Sequence, residues 1–233
     1  MGSTRMPGKV LRPLAGRPVL SWVLRAVAES RCADDVVVAT STLPEDDAVA
    51  ELAAAEGVAV VRGPVDDVLD RFLLALDAHP ADAVLRLTAD CPLLDPALLR
   101  SVVGAWRAAP AEHDYVATTL QRTLPRGLDV ELVTAAALRE AGRLARDHDR
   151  SHVTSYVWGH PADFRVLGLV VAPAAADLRV TLDTAEDAAL LDAVVAELGD
   201  RAPAWRELVA LLHSRPELVA LNAAVQQKAL EEG

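Results

Sequence analysis

The spacing of apolar and polar positions predicts strands that alternate with helices along most of the chain. Short β-branched apolar runs predict the strands, and apolar residues at helical spacing predict the helices between them. The predicted strands are residues 34–40, 58–63, 83–90, 115–119, 164–171 and 178–183, with an extended stretch at 124–133. The predicted helices are residues 45–57, 67–79, 95–106, 134–146, 150–158 and 184–198, followed by a helical tail from Ala204.

This alternation predicts an α/β fold whose mostly parallel sheet is covered by helices on both faces. Ligands of such folds bind beyond the carboxyl ends of the strands. We interpret residues 1–200 as one domain, with a β-excursion near 120–135. Residues 201–233 are interpreted as a C-terminal helical extension.

The composition narrows the classes of partner. The 233 residues carry a formal net charge of −11, which disfavours a nucleic acid or an anionic membrane as partner but leaves room for a small anionic ligand. Two cysteines cannot form a disulfide framework. The polar N-terminus has no apolar core of a signal peptide, and no apolar stretch is long enough to cross a bilayer. We therefore expect a cytoplasmic, reduced protein.

The opening stretch MGSTRMPGKVLRPLAGRPVL combines glycines, cations and hydroxyls, a composition that suits phosphate groups. It is not an ATP-binding P-loop, because Gly2 and Gly8 are separated by five residues and Val10 stands where that motif has a hydroxyl. A basic, disordered terminus is the alternative that composition leaves open.

Two aspartates end predicted strands at the edge where ligands bind. Asp90 ends 83–90, and Asp183 ends 178–183. Asp90 could instead be a turn-former ahead of Pro92, and Asp183 could simply precede a helix cap. Thr184 and Asp187 have the spacing of a capping pair, so Asp187 is assigned to capping.

Six segments in this order resemble the cytidylyltransferases that activate acidic sugars, and among them most closely the bacterial spore-coat polysaccharide group. They are MGSTRMPGKVLRPLAGRPVLSWVL, RGPVDDVLDRF, RLTADCPLLDP, RGLDVEL, SHVTSYVW and LRVTLDTAEDAALL. The resemblance implies a Rossmann-like nucleotidyltransferase fold of the glycosyltransferase-A type. It also implies a homodimer and Mg²⁺-dependent transfer of CMP from CTP to an acidic sugar of the nonulosonic type, with release of pyrophosphate.

The resemblance also assigns roles to residues of this chain. It implies that Lys9, Asp90 and Asp183 are catalytic and that the two aspartates hold the metal. The implied nucleotide-binding residues are Gly2, Ser3, Thr4, Arg5, Gly8, Lys9, Arg62, Arg71 and Thr88. The implied acceptor-binding residues are Arg86, Gly127, Asp129, Glu131 and His152.

Simpler interpretations of some of these residues stay open. Asp67 and Arg71 have the spacing of an exposed ion pair on a helix. Arg86 interrupts an apolar strand, so its charge needs either a partner or a ligand. Glu131 could lie on the polar face of a strand, and His152 could be an ordinary helix histidine.

Two departures from the family pattern keep other functions open. The spore-coat group usually has glutamate where this chain has Ser151, and an apolar strand is expected ahead of the opening loop. We expect either a start upstream of Met1 or a chain without its central strand. The alternatives are a cytidylyltransferase for a phosphonate or other small acid, and a catalytically inactive nucleotide-binding or scaffold homologue.

Overall fold

The structure is a computed structural model that describes residues 5–227. Its strands are β1 (Pro13–Leu14), β2 (Arg17–Pro18), β3 (Val37–Ser41), β4 (Ala59–Gly63), β5 (Ala83–Arg86), β6 (Tyr115–Ala117), β7 (Glu131–Thr134) and β8 (Val166–Gly168). Its helices are α1 (Val19–Ser30), α2 (Asp47–Ala55), α3 (Val68–Ala78), α4 (Pro96–Ala108), α5 (Ala135–Leu144), α6 (His148–His152), α7 (Ser155–Gly159), α8 (Ala185–Leu198), α9 (Trp205–Ser214) and α10 (Pro216–Val219). Short 3₁₀ turns lie at Lys9–Leu11 and Pro44–Asp46. The predicted alternation of strands and helices is confirmed.

The strands form two separate sheets and one small hairpin. β3 and β4 pair in parallel, whereas β5, β7, β6 and β8 form a second sheet in that order. Within it β7 is antiparallel to both neighbours, and only β6 and β8 are parallel. The prediction of a mostly parallel sheet is therefore wrong. The chain from β6 to β7 contains no helix that could carry a crossover, so β7 returns antiparallel.

The predicted strands are generally longer than the observed ones, and the differences at 83–90 and 178–183 bear on the candidate site. β5 ends at Arg86, and the predicted continuation to residue 90 is a turn in which Cys91 N–H donates to the Thr88 carbonyl. The predicted strand 178–183 forms a single parallel bridge between Arg126 and Arg179. The two segments contact each other through Leu182 N–H and the Asp90 carbonyl, and they carry the candidate site.

Helices cover the second sheet on both faces, as predicted. Alternate residues of β6 and β7 enter opposite cores, with Val116 and Leu132 in one and Tyr115 and Val133 in the other. Side chains of α1, α4, α8 and α9 complete the first core, and those of α3, α5 and α7 complete the second. None of the helices between residues 5 and 227 is long and apolar enough to cross a membrane.

The C-terminal helices pack on the first core rather than apart from it. Trp205 and Leu208 of α9 and Leu218 of α10 are buried in that cluster. A hydrogen bond from Asn222 Nδ2 to Asp187 Oδ1, 2.9 Å long, ties the end of the described chain to α8. The boundary at residue 200 stays a prediction.

Candidate active site

Lys9 brings the two predicted metal-binding aspartates together. Its Nζ lies 2.5 Å from Asp90 Oδ2 and 2.6 Å from Asp183 Oδ1. Lys9 begins the 3₁₀ turn directly after Gly8, whose left-handed φ of 71° redirects the opening loop at this point. The loop thus places one cation against both carboxylates.

Backbone contacts fix the two aspartates relative to each other. Leu182 N–H donates to the Asp90 carbonyl at 2.9 Å, and Thr181 Oγ1 donates to the same oxygen at 3.3 Å. The segment 178–183 is therefore joined to the turn after β5, although it forms no regular strand there.

Gly127 allows a second close contact on that segment. Its φ is +104°, and a Cβ built on it would lie 2.6 Å from Thr181 N and 2.7 Å from Val180 C. A side chain at this position would push the Asp183 segment away from the sheet. This close packing explains why residue 127 is a glycine. Its contact with the acceptor stays a prediction.

Asp183 is surrounded by cations. Besides Lys9, Arg5 Nη2 lies 3.0 Å and Arg179 Nη2 2.7 Å from its Oδ2. Arg179, which was not among the predicted site residues, also binds Asp187 through Nε at 2.9 Å. Its signal in the sequence was a charged residue inside LRVTLD, four residues before Asp183.

The charges in this cluster shift one another's pKa values. Burial acts to lower the pKa of Lys9, but the charge of Asp90 and the hydrogen bonds to both carboxylates outweigh burial and raise it. Burial acts to raise the pKa of Asp183, but Lys9, Arg179 and Arg5 lower it below its ordinary value. Lys9 and Asp183 are thus both held in their charged forms at neutral pH.

The helix after Asp183 has its own cap, so Asp183 is free of that role. Thr184 Oγ1 accepts from Asp187 N–H, and Asp187 Oδ2 accepts from Thr184 N–H in a reciprocal capping box. The assignment of Asp187 to capping is confirmed. Asp187 also accepts from Asp183 N–H at 2.9 Å, which fixes the backbone of the candidate metal ligand.

The pair Asp90 and Asp183 fits a magnesium ion bound together with a triphosphate. Mg²⁺ usually takes one or two carboxylates, phosphate oxygens and several waters. The two carboxylates already converge on the single cationic Nζ of Lys9. Between residues 5 and 227 no cluster of three or more His, Cys, Asp or Glu side chains forms an all-protein metal cage.

Two of the predicted acceptor residues, Arg86 and Glu131, lie beside this cluster and pair with each other. Arg86 on β5 and Glu131 on β7 are opposite in register, and Arg86 Nη1 lies 2.7 Å from Glu131 Oε2. Thr154 Oγ1 donates to the same oxygen at 2.9 Å. Burial acts to lower the pKa of Arg86, but Glu131 outweighs it, and Asp90 adds to the rise. Glu131 therefore compensates the charge of Arg86, and no ligand is needed for that purpose.

Two further acceptor predictions fall at the ends of other elements. Asp129 accepts a two-pronged contact from Arg122, with distances of 2.5 and 3.1 Å. His152 is the last residue of α6 and is half-buried. Whether these residues bind the acceptor stays a prediction.

The remaining nucleotide-binding predictions lie around β4 and the turn after β5. Arg62 binds Asp47 and the carbonyls of Ser41 and Leu43, so it braces the loop after β3. Thr88 Oγ1 lies 3.1 Å from Cys91 Sγ in the turn that presents Asp90. Gly2, Ser3 and Thr4 lie outside the described residues.

Asp67 and Arg71 do not form the ion pair that their spacing suggested. Asp67 instead caps α3 by accepting from Asp70 N–H at 2.8 Å and pairs with Arg150 at 2.5 Å. Arg71 Nε is buried without a hydrogen-bond partner in the part of the chain that the structure describes. Its predicted nucleotide contact remains a prediction.

Comparison with known proteins decides the family. A family model described as cytidylyltransferase matches residues 1–225. The chain belongs to the cytidylyltransferase family. This confirms the resemblance read from the six segments and identifies the protein as a nucleotidyltransferase enzyme.

Individual relatives agree with this. The chain is 34% identical to the spore coat polysaccharide biosynthesis protein SpsF of Bacillus subtilis, over 93% of this chain and 92% of that protein. It is 33% identical to a 3-deoxy-manno-octulosonate cytidylyltransferase of Anaeromyxobacter dehalogenans, over 58% of this chain and 56% of that protein. A solved cytidylyltransferase of Leptospira borgpetersenii superposes with a TM-score of 0.91 at 28% identity, covering 98% of this chain and 95% of that one.

Proposed function

We propose that this cytidylyltransferase transfers CMP from CTP to a small acidic sugar of the nonulosonic type, with Mg²⁺ as its metal. The observation that carries the proposal is the convergence of Asp90 and Asp183 on Lys9, at the sheet edge where the opening loop ends. Two carboxylates for a metal beside cations for phosphate are the parts that phosphoryl-type transfer requires. The likeness to a 3-deoxy-manno-octulosonate cytidylyltransferase supports an acidic sugar as acceptor.

The proposed reaction is one displacement at the α-phosphate of CTP. A hydroxyl oxygen of the acceptor forms a bond to the α-phosphorus, and the bond from that phosphorus to the oxygen bridging to the β-phosphate breaks. Pyrophosphate leaves with the electron pair, and the hydroxyl proton passes to solvent. The products are the CMP-linked acid and pyrophosphate.

The residues of this chain would position the triphosphate and neutralise its charge. Arg5 and Lys9 present cations at the end of the opening loop, where Arg5 offers a planar fork and Lys9 a point charge. Asp90 and Asp183 would hold the metal, which would supply charge neutralisation at the phosphates. Arg179 keeps Asp183 oriented through a contact of 2.7 Å.

The fold supports the same proposal at a coarser level. Helices on both faces of the second sheet, and the likeness to the Leptospira cytidylyltransferase, are consistent with a Rossmann-like fold of the glycosyltransferase-A type. Within that fold the site lies beyond the carboxyl end of β5. The homodimer stays a prediction, which sedimentation velocity tests.

The direct test measures pyrophosphate release with each of the four nucleoside triphosphates, Mg²⁺ and a panel of acceptors. The panel contains 3-deoxy-manno-octulosonate, a sialic acid and 2-aminoethylphosphonate. We expect release with CTP that requires both the metal and a sugar acid, and mass spectrometry should detect the CMP-linked product. Turnover with ATP or GTP but not with CTP would refute the nucleotide, and turnover with the phosphonate alone would refute the acceptor.

Calorimetry separates an inactive homologue from an enzyme that lacks the right acceptor. An enzyme with the wrong acceptor should bind CTP more tightly when Mg²⁺ is present and should turn over when the acceptor panel is widened. Tight CTP binding with no turnover on any acid would support the inactive alternative.

A further inference from the structure

A short segment that follows α10 lies against the candidate metal site. It spans residues 222–227 and forms neither a helix nor a strand. Its first residue, Asn222, is only 5% exposed. A polar side chain is seldom buried unless hydrogen bonds satisfy it, so the contacts of Asn222 indicate what this residue does. We call residues 222–227 the C-terminal segment.

The side-chain amide of Asn222 donates to two acceptors next to Asp183. Its Nδ2 lies 2.9 Å from Asp187 Oδ1 and 3.2 Å from the carbonyl oxygen of Arg179. Because both partners are acceptors, the nitrogen of the amide rather than its oxygen must face them. Asn222 thus uses its side-chain N–H donors on the two residues that hold Asp183.

Asp187 and Arg179 each fix a different part of Asp183. Asp187 Oδ2 accepts from Asp183 N–H at 2.9 Å, and Arg179 Nη2 lies 2.7 Å from Asp183 Oδ2. Arg179 Nε lies 2.9 Å from Asp187 Oδ1, the same oxygen that accepts from Asn222. Asn222 is therefore one contact away from the group that holds the backbone of Asp183 and from the group that holds its carboxylate.

The C-terminal segment also contacts the two arginines that bind the Asp183 carboxylate. Arg179 Nη1 donates to Gln227 Oε1 at 2.7 Å, and Arg5 Nη1 donates to the Gln226 carbonyl at 3.3 Å. Both guanidinium groups bind Asp183 Oδ2, at 2.7 Å from Arg179 and 3.0 Å from Arg5. The segment thus joins the opening loop to the residues around Asp183.

We propose that Asn222 is a positioning residue for the candidate metal ligand Asp183. It acts through Asp187 and Arg179 and keeps the Asp183 carboxylate in the direction that faces Lys9. Groups that hydrogen-bond to metal ligands orient them, and their loss typically lowers metal affinity by about 10- to 100-fold. The inference rests on the proposed function where it treats Asp183 as a metal ligand. The orientation of Asp183 itself is a property of the metal-free protein.

Two variants separate positioning from packing. Asn222→Asp keeps the shape of the side chain but places a second carboxylate against Asp187, whereas Asn222→Ala removes the donors without adding a charge. The Mn²⁺ dissociation constant, followed by electron paramagnetic resonance, should rise about tenfold in Asn222→Ala and further in Asn222→Asp. A residue that only fills space would give the opposite order, because the alanine leaves the larger cavity.

Leu212→Ala is the matched control. It removes a buried side chain of α9 from the first core and takes away no polar contact of the site. It should lower the melting temperature and leave the Mn²⁺ dissociation constant unchanged. A general loss of stability is thereby distinguished from a change at Asp183.

A second measurement uses the metal-free protein and needs neither CTP nor turnover. The N–H groups of Asp183 and Thr184 both donate to Asp187 Oδ2, so their hydrogen exchange reports whether Asp187 stays in place. Measured by NMR relative to the amides of β7, their exchange should be at least about tenfold faster in Asn222→Ala and Asn222→Asp. In Leu212→Ala this ratio should equal that of the wild type.

Two results would overturn the proposal. One is an unchanged exchange ratio in both Asn222 variants. The other is faster exchange with the Mn²⁺ affinity of the wild type, since Asn222 would then hold the backbone without orienting the carboxylate. If Asn222→Asp does not fold, the two measurements on Asn222→Ala decide. A wild type that binds no Mn²⁺, with or without CTP, would refute the metal role in the proposed function, and the exchange ratio would still decide whether Asn222 positions Asp183.

Discussion

Lys9 Nζ lies between Asp90 and Asp183, 2.5 Å from one carboxylate and 2.6 Å from the other. These residues come from the opening loop, the turn after β5 and the segment before α8. One ammonium thus balances two carboxylates at the place where a metal and a triphosphate would bring their own charges.

Removing either carboxylate should weaken metal binding while the fold is kept. Asp90→Asn and Asp183→Asn should each lower turnover by about two to three orders of magnitude, the loss typical of a missing transition-state charge contact. Mn²⁺ binding, followed by electron paramagnetic resonance, should weaken in parallel. Asp192→Asn, which removes an exposed partner of Arg12, is the control and should leave both values unchanged. Normal Mn²⁺ binding by both site variants would exclude the two aspartates as ligands.

Replacing Lys9 should make stability depend on pH in a new way. In the wild type the lowered pKa of Asp183 contributes stability above pH 3.8, which is lost as the pH falls through the folded-state value. The raised pKa of Lys9 contributes stability below pH 10.5, which is lost as the pH rises through its folded-state value. Lys9→Met leaves two partly buried carboxylates without this cation, so it should be clearly less stable at pH 7.

The loss of unfolding free energy in Lys9→Met should shrink as the pH falls toward about 4, because without Lys9 the Asp183 carboxylate takes up a proton more readily. Urea unfolding of the wild type and Lys9→Met at several pH values measures this. Arg12→Met breaks the exposed ion pair with Asp192. It should lower the free energy of unfolding only slightly, and by the same amount at pH 4 and pH 7. A Lys9→Met loss that is the same at pH 4 and pH 7 would contradict the charge balance that we infer.

Thr184 rather than Asp183 should carry the cap of α8. Thr184→Ala removes the hydroxyl that accepts from Asp187 N–H, and it should cost about 1 kcal/mol of unfolding free energy with turnover nearly kept. Thr184→Ser keeps a hydroxyl that can accept this hydrogen bond, so its melting temperature should be close to that of the wild type. Paired thermal melts and initial rates measure both effects. A large loss of turnover in Thr184→Ala without a lower melting temperature would place Thr184 in the chemistry.

A side chain at Gly127 should disturb both stability and the site. Gly127→Ala places a Cβ 2.6 Å from Thr181 N, on backbone with a φ of +104°. We therefore expect the free energy of unfolding to fall by more than about 2 kcal/mol and turnover to be lower. Gly104→Ala is the control, because it lies within α4 with no atom within 4 Å of the added Cβ. The free energy of unfolding of this control should rise by up to about 1 kcal/mol. Chemical denaturation measures both, and a Gly127→Ala variant as stable as the wild type would contradict the close contact.

The pair Arg86 and Glu131 should behave as a buried ion pair. Arg86→Met alone leaves Glu131 uncompensated and should cost about 3–5 kcal/mol, whereas Arg86→Met with Glu131→Leu should recover most of that loss. Urea unfolding of the single and double variants measures the recovery. The acceptor KM of the double variant then tests the predicted binding role, since an increase in a folded protein would assign the pair to the acceptor. No recovery of stability would show that the two side chains do not compensate each other.

The sequence by itself determined most of the helices and strands, the cap of α8 and the family. Asp95 caps α4 by accepting from Ala97 N–H, and Thr184 with Asp187 caps α8, because caps depend on residues only two or three positions apart. The alternation of strands and helices follows from local periodicity. The six family segments likewise need only the order of residues along the chain.

Only the tertiary structure decided how these elements pair. Lys9 lies 81 residues from Asp90 and 174 from Asp183, so no local pattern predicts that one ammonium contacts both. The antiparallel pairing of β7 with β5 and the ion pair between Arg86 and Glu131 are also long-range contacts. The ion pair between Arg179 and Asp183 depends on the directions of the two side chains. A strand pattern fixes which residues are buried but not which neighbour it pairs with, because either strand direction satisfies the same alternation.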